Sequence, residues 1–319
     1  MPVPSAERII ERRISFLLDK LKQGDERETR EYFFGRGIRL SVPDIHAFAR
    51  SLNRIFVETP RISDWLGGLA NYDIRRTLEL TRDVISSPHL PIEELFKAHV
   101  IGTAVAVQDW KIRNAIIKGR YDIFPADENS FVQNIYALSV DAPTTPLLGI
   151  RILQFLRDSQ ESGNSDQTFV PIAHVYDHLN SMGLHFRVVR PWLEALLKTG
   201  LALDYDPTIK DIEDSTRLEI SPAGKIHLYW GSIERDYVAT MKDVTAIREK
   251  ATFEHLLQLY RSGYSSTWND SMAVFIDYLI EEDARWCEVP DHRHFTGQQQ
   301  VLRRLNIMRE RLSKKPSGH

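Results

Sequence analysis

The chain has 319 residues, of which 42% are hydrophobic and 27% charged, with 41 basic and 44 acidic side chains and a formal net charge of −3. This composition is typical of a globular protein with two or three domains, and it excludes a broad positive field for nucleic acid. The single cysteine excludes an intramolecular disulfide framework and a zinc ribbon, and no apolar run approaches the ~20 residues that span a bilayer, so a cytoplasmic protein without membrane contact is expected.

Helical spacing of apolar residues predicts four helices near the start of the chain, with no alternating strand pattern among them. The first covers residues 5–22, the second begins after the start signal Ser41-Val-Pro-Asp44 and stops near Pro60, the third follows Asp73, and the fourth covers 91–118. Asp73 is a good cap for the third helix, which the run Ser86-Ser87-Pro88 ends. Residues 119–146 are rich in Pro, Asp and Asn and are predicted to form an ordered connection.

The pattern changes after residue 146. Three short helices are predicted over residues 147–158, 170–182 and 187–199, and two strand-like segments follow around the polar loop TIKDIEDS. Three short helices followed by a two-stranded ribbon predict a winged helix, a variant of the helix-turn-helix. Further helices are predicted after Lys225 and over residues 251–261, 270–286 and 297–312.

Four stretches of the sequence, in their order along the chain, resemble segments of proteins from one family. They are LANYDIRRTLELTRDVISSPHL, IIKGRYDIFPADENSFVQNIYAL, the segment from ILQFL to LEISPAG, and SIERDYVATMKDVT. The chain resembles the C-terminal half of a bacterial P-loop ATPase of the STAND/AAA+ type, without its ATPase core. The resemblance implies a mainly α fold, with a helical lid-like domain over 1–146, a winged-helix domain over 147–245 and a C-terminal helical region over 246–319.

The resemblance also implies a nucleotide-sensing residue. Four positions match the start of the family's lid helix: Asn71, Ile74, Arg75 and Leu78. Arg75 is then the counterpart of a sensor arginine that reaches the γ-phosphate of ATP on a neighbouring core domain, whereas Arg76 points elsewhere. The sequence departs from the family pattern at Tyr72 and Asp73. For this role Arg75 must lie exposed at the helix start, without a strong carboxylate partner, while Ile74 and Leu78 face inward.

The motif that cradles ATP phosphates is absent from the sequence. No G-x-x-x-x-G-K-[ST] occurs, and AVFIDYLIEED fits a helix better than the acidic-ended strand of an ATPase core. We therefore expect the chain by itself to hold no cofactor, to catalyse no reaction and to have no catalytic residue. ATP and Mg²⁺ are expected only through a separate core domain, in cis or in trans, of which this chain is a fragment or a separately supplied half.

Partner contact is predicted for the segment FRVVRPWLEALLKTG, which corresponds to a recognition helix. Arg187, Arg190 and Lys198 could contact DNA phosphates and a base. Glu194 opposes a DNA role, as do three acidic residues of the wing: Asp211, Glu213 and Asp214. Contact with DNA is one alternative, and a protein-contact or purely architectural role for this face is favoured over it. The alternative to an ATPase region is a stand-alone winged-helix protein that binds DNA or acts as an adaptor.

Histidine pairs suggest a metal site, but their surroundings do not support one. His174 and His178 are spaced to share one helical face, and His292 and His294 flank an arginine. Neither pair has an evident third ligand or a nearby catalytic glutamate, so structural or surface histidines are favoured and no metal is expected. Cys287, without a positioned base, is predicted to be a small core side chain.

Overall fold

The computed structural model describes residues 4–23, 32–34, 38–40, 42–90, 108–138, 143–162, 168–206, 212–263 and 267–313. These residues form thirteen α-helices and five short strands, which confirms the prediction of a mainly α fold. The chain divides into two compact units, Met1–Val132 and Gln133–His319. Among the helices of the described ranges, none is both long enough and apolar enough to cross a bilayer.

The first unit contains five of the described helices and a small hairpin. The helices are α1 (Ala6–Gln23), α2 (Val42–Phe56), α3 (Pro60–Leu69), α4 (Ile74–Ile85) and α5 (Asp109–Lys118). Strands β1 (Tyr32–Phe34) and β2 (Ile38–Leu40) pair antiparallel, with Tyr32 opposite Leu40. Helices α1 and α4 lie in contact, and both also contact α3.

Helix α1 contacts its neighbours through one apolar face. Ile9, Ile10 and Ile14 recur at helical spacing and are buried, whereas Arg12 and Arg13 are exposed. Because burial of this face removes several aliphatic side chains from water, it holds α1 in place beside α4. The packing thereby carries Arg13 to the neighbourhood of α4.

The first unit differs from the sequence prediction in three places. The hairpin lies in a region where the sequence pattern predicts no strand. Pro60, which the sequence predicts only as a helix stop, begins helix α3. Proline fits the first position of a helix, because the N–H that it lacks has no partner within the helix there. Helix α5 begins after Gln108, whose backbone is extended. The helix predicted over 91–118 therefore does not continue through Gln108. Residues 91–107 lie outside the described residues.

The second unit contains eight described helices and a three-stranded sheet. The helices are α6 (Leu148–Ser162), α7 (Ile172–Asn180), α8 (Phe186–Lys198), α9 (Pro222–Ile233), α10 (Arg235–Lys242), α11 (Lys250–Arg261), α12 (Trp268–Trp286) and α13 (Thr296–Ser313), with a 3₁₀ turn at Arg293–Phe295. The helices predicted over 147–158, 170–182, 187–199, 251–261, 270–286 and 297–312 are confirmed, with small shifts at their ends. The helical stretch predicted after Lys225 consists of two helices, α9 and α10, and α9 begins earlier, at Pro222. Helix α12 includes AVFIDYLIEED, so the helical interpretation of that stretch is also confirmed.

The sheet has the antiparallel order β3-β5-β4, formed by β3 (Val170–Pro171), β4 (Ala202–Asp204) and β5 (Arg217–Ile220). Val170 lies opposite Leu218, and Ala202 lies opposite Ile220. The sequence predicts only the β4–β5 ribbon, because a two-residue strand such as β3 is too short to show alternation. In chain order, α6 to β5 run helix, strand, helix, helix, strand, strand.

The core of the second unit is aromatic as well as aliphatic. Trp230 and Tyr237 are fully buried, whereas the neighbouring Tyr229 is 39% exposed. Gly224 allows close packing of α9 on the sheet, since a Cβ at this position would lie 2.1 Å from the carbonyl oxygen of Leu201. Helix α6 lies in the middle of the unit, in contact with α7, α8, α9, α13 and β5.

The segment before α6 bonds to later parts of the second unit. The Ile135 amide donates to the Tyr237 hydroxyl at 3.2 Å, and the Asn134 side chain donates to Thr245 Oγ1 at 3.0 Å. These residues lie within the stretch 119–146, which is an ordered connection as predicted over its described residues. The domain boundaries predicted at residues 146 and 245 stay predictions.

A buried histidine, His227, links α9 to this segment. Its Nε2 accepts a hydrogen bond from the Gln133 amide at 2.9 Å, and its Nδ1 lies 2.8 Å from the Ala223 carbonyl oxygen. An amide N–H can only donate and a carbonyl can only accept, so these contacts fit the neutral tautomer with its proton on Nδ1. Burial lowers the pKa of His227 to about 4.

His227 makes the stability of the second unit depend on pH. The pKa of a histidine in the unfolded chain is ~6.5, so stabilisation is fully present above that pH and declines as pH falls toward the folded pKa. Between pH 7.5 and pH 5 the loss is about 2 kcal/mol. Urea unfolding of the wild type and of His227→Gln at both pH values measures it. We expect a smaller pH difference in the variant, and equal differences would contradict a neutral His227.

Candidate functional site

The turn before α4 has an unusual backbone. Asn71 and Tyr72 have φ values of 51° and 58°, in the left-handed region that few non-glycine residues adopt. The Tyr72 amide donates to the Gly67 carbonyl at 2.7 Å. A Cβ at Gly67 would lie 3.2 Å from the Tyr72 ring, so glycine at this position accommodates the ring. These contacts fix the direction in which the chain enters α4.

Asp73 caps α4, as predicted. Its carboxylate accepts a hydrogen bond from the Arg76 amide at 2.7 Å. A carboxylate at this position satisfies a free backbone N–H and interacts favourably with the positive end of the helix dipole. It therefore offsets part of the unfavourable effect of two arginines in the first turn.

The two adjacent arginines of α4 have different surroundings. Arg76 donates from Nη2 to the Ser130 carbonyl at 2.9 Å, and its guanidinium carbon lies 5.3 Å from the centre of the Phe131 ring. Arg75 is 88% exposed, and its Nε donates to Glu79 Oε1 at 3.0 Å. An exposed pair one helical turn apart contributes little to stability. Arg76 thus fastens α4 within the first unit, while the Arg75 guanidinium faces water.

The inward face of α4 is not the one predicted. Ile74 is 47% exposed, so the prediction that it faces inward is wrong, and Leu78 is only half-buried. The buried positions of α4 are Thr77, Leu80, Thr81 and Val84. Thr77 and Thr81 can be buried because each hydroxyl donates to the backbone carbonyl four residues earlier, at 2.7 Å. Periodicity of apolar residues alone does not detect such threonines.

Ile74 and Leu78 contribute instead to an open depression of about 470 Å³ in the first unit. Its other lining residues are charged: Arg13, Arg75, Glu79 and Arg82. Arg13 comes from α1, and the others come from α4. The depression thus combines an apolar surface with three guanidinium groups and one carboxylate.

The predicted contact residues of the second unit lie on α8. Arg187, Arg190 and Lys198 are all exposed. Arg190 donates from Nε to Glu194 Oε1 at 3.0 Å and from Nη2 to the Ile212 carbonyl at 3.2 Å, so part of its hydrogen-bonding capacity is already used. Arg187 forms no ion pair with a carboxylate among the described residues. Arg75 and these three residues belong to different units of the chain.

Exposed aromatic rings lie near α8 and near the end of β4. Phe186 is 55% exposed and packs edge-to-face on Tyr176 at 6.2 Å, and Tyr205 is 69% exposed and packs edge-to-face on Phe169 at 5.4 Å. The loop between β4 and β5 also exposes two acidic residues, Glu213 and Asp214. Asp211, the third predicted acidic residue, lies outside the described residues. The surface is therefore aromatic and mixed in charge.

A buried ion pair joins α6 to α12, and sequence reasoning does not find it. Arg151 and Asp283 are 0% and 1% exposed, and Arg151 Nε donates to Asp283 Oδ1 at 2.9 Å. Thr145 donates to the same oxygen at 2.6 Å, and Gln298 of α13 accepts from Arg151 Nη1 at 3.3 Å. The sequence gives one indication of this ion pair, which is the position of Arg151 among apolar residues in GIRILQFL.

The described histidines and the cysteine have structural surroundings. His178 stacks between Phe155 at 4.2 Å and Phe295 at 4.7 Å, and burial lowers its pKa to about 4. The rings of His292 and His294 stack on each other at 4.8 Å. Within the described ranges, no three His, Cys, Asp or Glu side chains are placed to hold a metal ion. Cys287 is buried, as predicted, and burial raises the pKa of its thiol to about 12, which disfavours the reactive thiolate.

Comparisons with known proteins give no further identification. Neither a protein-family model, nor a curated protein, nor a solved structure matches the chain. A function must therefore be inferred from the geometry of each unit and from the chemistry of its exposed residues.

Proposed function

We propose that the segment from α6 to β5 is a winged helix. Its order of helix, strand, helix, helix, strand, strand and its antiparallel sheet order β3-β5-β4 support this assignment. In this interpretation α8 is the recognition helix, and the connection from β4 to β5 is the wing. The mainly helical first unit then corresponds to the lid-like domain.

We further propose that the chain is the regulatory region of a P-loop ATPase, which senses nucleotide through Arg75. The difference between Arg75 and Arg76 carries this proposal: one guanidinium is bound within the first unit, and its neighbour faces water beside an arginine-lined depression. A planar guanidinium stays charged and can bind two phosphate oxygens at once. A core domain carrying ATP would supply these oxygens.

A sensing role requires a contact that changes with the state of the nucleotide. ATP presents a γ-phosphate that ADP lacks, so a guanidinium bound to it favours the docked arrangement only before hydrolysis. The single bond of Arg75 to exposed Glu79 does not prevent such a contact. The test is ATP turnover by a P-loop core domain with and without this chain, joined or mixed. Unchanged turnover and unchanged nucleotide affinity would contradict the proposal.

For the partner of α8 we favour a protein over DNA. Arg190 is engaged by Glu194 and Ile212, Glu213 and Asp214 repel phosphates, and exposed aromatic rings suit a protein surface. The alternative, a stand-alone winged-helix protein that binds DNA, is supported by the exposed cations Arg187 and Lys198. In that case the first unit has no nucleotide role.

A DNA titration separates these two alternatives. We expect the wild-type chain to bind duplex DNA more weakly than about 10⁻⁵ M at physiological salt, in the weaker half of the range for non-specific binding. A mobility-shift assay with the wild type and with Arg187→Ala/Arg190→Ala measures it. If a retarded complex forms, and the double variant weakens it and lowers the salt slope by about one per lost phosphate contact, α8 is a DNA-binding helix.

A further inference from the structure

We propose that the depression between α1 and α4 is a polyphosphate-binding site in which Arg13 and Arg82 act together with Arg75. Arg13 comes from a helix that precedes the lid motif, and only folding places it beside Arg75. The inference rests on the proposed function for the source of the phosphates, a nucleoside triphosphate carried by a core domain. The site itself is a property of this chain.

The charge of the depression favours an anion with several negative charges. Among the six described residues that line it, three are arginines and one, Glu79, is acidic. Like charges close together repel one another, and a ligand of opposite charge relieves that repulsion. One carboxylate cannot balance three guanidinium groups, whereas a chain of phosphates carries several negative charges.

The donor atoms of these arginines remain largely available. Arg75 uses Nε for Glu79, while the four N–H groups on its two Nη atoms suit paired phosphate oxygens. Arg82 is 70% exposed, and its bond to Asp83 is long, at 3.4 Å. Arg13 is exposed on α1. A phosphate chain can therefore bind without breaking a buried interaction.

The apolar side chains of the depression strengthen its attraction for anions. Ile74 is 47% exposed, although an isoleucine in the first turn of α4 could have been packed inward. Together with Leu78 it forms a low-dielectric wall among the charges. A cleft with charges of one sign and low-dielectric walls focuses the electric field and raises the local anion concentration. This accounts for apolar side chains in a surface lined mostly by charges.

The test uses inorganic tripolyphosphate as the probe and the full chain at low ionic strength. Isothermal titration calorimetry is expected to show millimolar binding to the wild type. Arg13→Ala and Arg82→Ala should each weaken the binding about fivefold, an effect of the size expected for one charge-assisted contact. Glu79→Gln should strengthen it, because the competing carboxylate is removed. Arg12→Ala is the matched control, since Arg12 is also exposed on α1 but does not line the depression.

The variants distinguish a site from general surface charge. Equal losses for Arg12→Ala and Arg13→Ala, or no gain for Glu79→Gln, would overturn the inference. AMP, which has one phosphate, should bind more weakly than tripolyphosphate, and the reverse order would assign the depression to a nucleoside.

The two proposals can fail separately. If tripolyphosphate binds as expected but Arg75→Ala leaves ATP turnover of the assembled ATPase unchanged, the anion site stands and the ATPase role fails. If Arg75→Ala abolishes turnover but Arg13→Ala and Arg82→Ala do not affect tripolyphosphate, the ATPase role stands and the anion site fails.

Discussion

ATP turnover by the assembled ATPase is expected to fall about a hundredfold or more when Arg75 is replaced by alanine. Charge stabilisation at a transferring phosphoryl group is worth several kcal/mol, and each ~1.4 kcal/mol corresponds to a factor of ten in rate. The Arg75 side chain is 88% exposed, so its removal leaves no cavity in the first unit. A steady-state ATPase assay, with the thermal stability of the variant measured in parallel, separates a lost contact from a misfolded chain.

Arg76→Ala is the matched control for this experiment. Arg76 bonds to the Ser130 carbonyl and stacks over Phe131, so its loss should lower the melting temperature of the first unit but leave turnover nearly unchanged. Arg75→Lys should restore only part of the activity, because an ammonium group keeps the charge but not the paired geometry of a guanidinium. Equal losses for Arg75→Ala and Arg76→Ala would show that the helix start needs only general positive charge.

The sequence predicts helices best where local chemistry agrees with periodicity. Helix α4 begins after a capping aspartate, as predicted. Helix α9 begins after Ser221, whose hydroxyl accepts from the Gly224 amide, which is earlier than the helix predicted after Lys225. The hairpin of β1 and β2 is not predicted, because three-residue strands show almost no alternation. Helix α3 is not predicted, because a proline such as Pro60 can follow the end of one helix or occupy the first position of the next. The local sequence does not distinguish these two cases.

The candidate site could be predicted only in part. The motif around Arg75 identifies one arginine of the depression. Arg13 belongs to an earlier helix, and no local pattern in α1 distinguishes it from Arg12. Its position beside α4 results from the packing of three isoleucines of α1, which is a property of the fold.

Buried charges show the same limit of sequence reasoning. Arg151 lies in an apolar helix, where an exposed arginine at the edge of the core is the ordinary expectation. Its burial depends on Asp283 and Gln298, which accept its hydrogen bonds from distant parts of the chain, while Thr145 donates to the same Asp283 carboxylate. Since the partners share no motif, only the fold brings them together.

The Arg151–Asp283 pair is expected to give the largest stability effects in the second unit. Arg151→Ala should lower the free energy of unfolding by about 3–5 kcal/mol, because it leaves a buried carboxylate without its charged partner. Asp283→Ala should have a similar effect, since it strands a buried guanidinium. Urea unfolding followed by circular dichroism measures both losses.

Two further variants establish that burial, and not the ion pair itself, causes these losses. Arg309 of α13 pairs with Asp277 of α12 at 2.9 Å, but both side chains are substantially exposed, so Arg309→Ala should cost far less than Arg151→Ala. The double variant Arg151→Met/Asp283→Leu should recover much of the loss, because apolar side chains of similar volume can replace a buried ion pair. Recovery should be incomplete, because Thr145 and Gln298 each lose one hydrogen-bond partner. If Arg309→Ala and Arg151→Ala cost the same, or if the double variant is less stable than either single one, the buried pair contributes in another way.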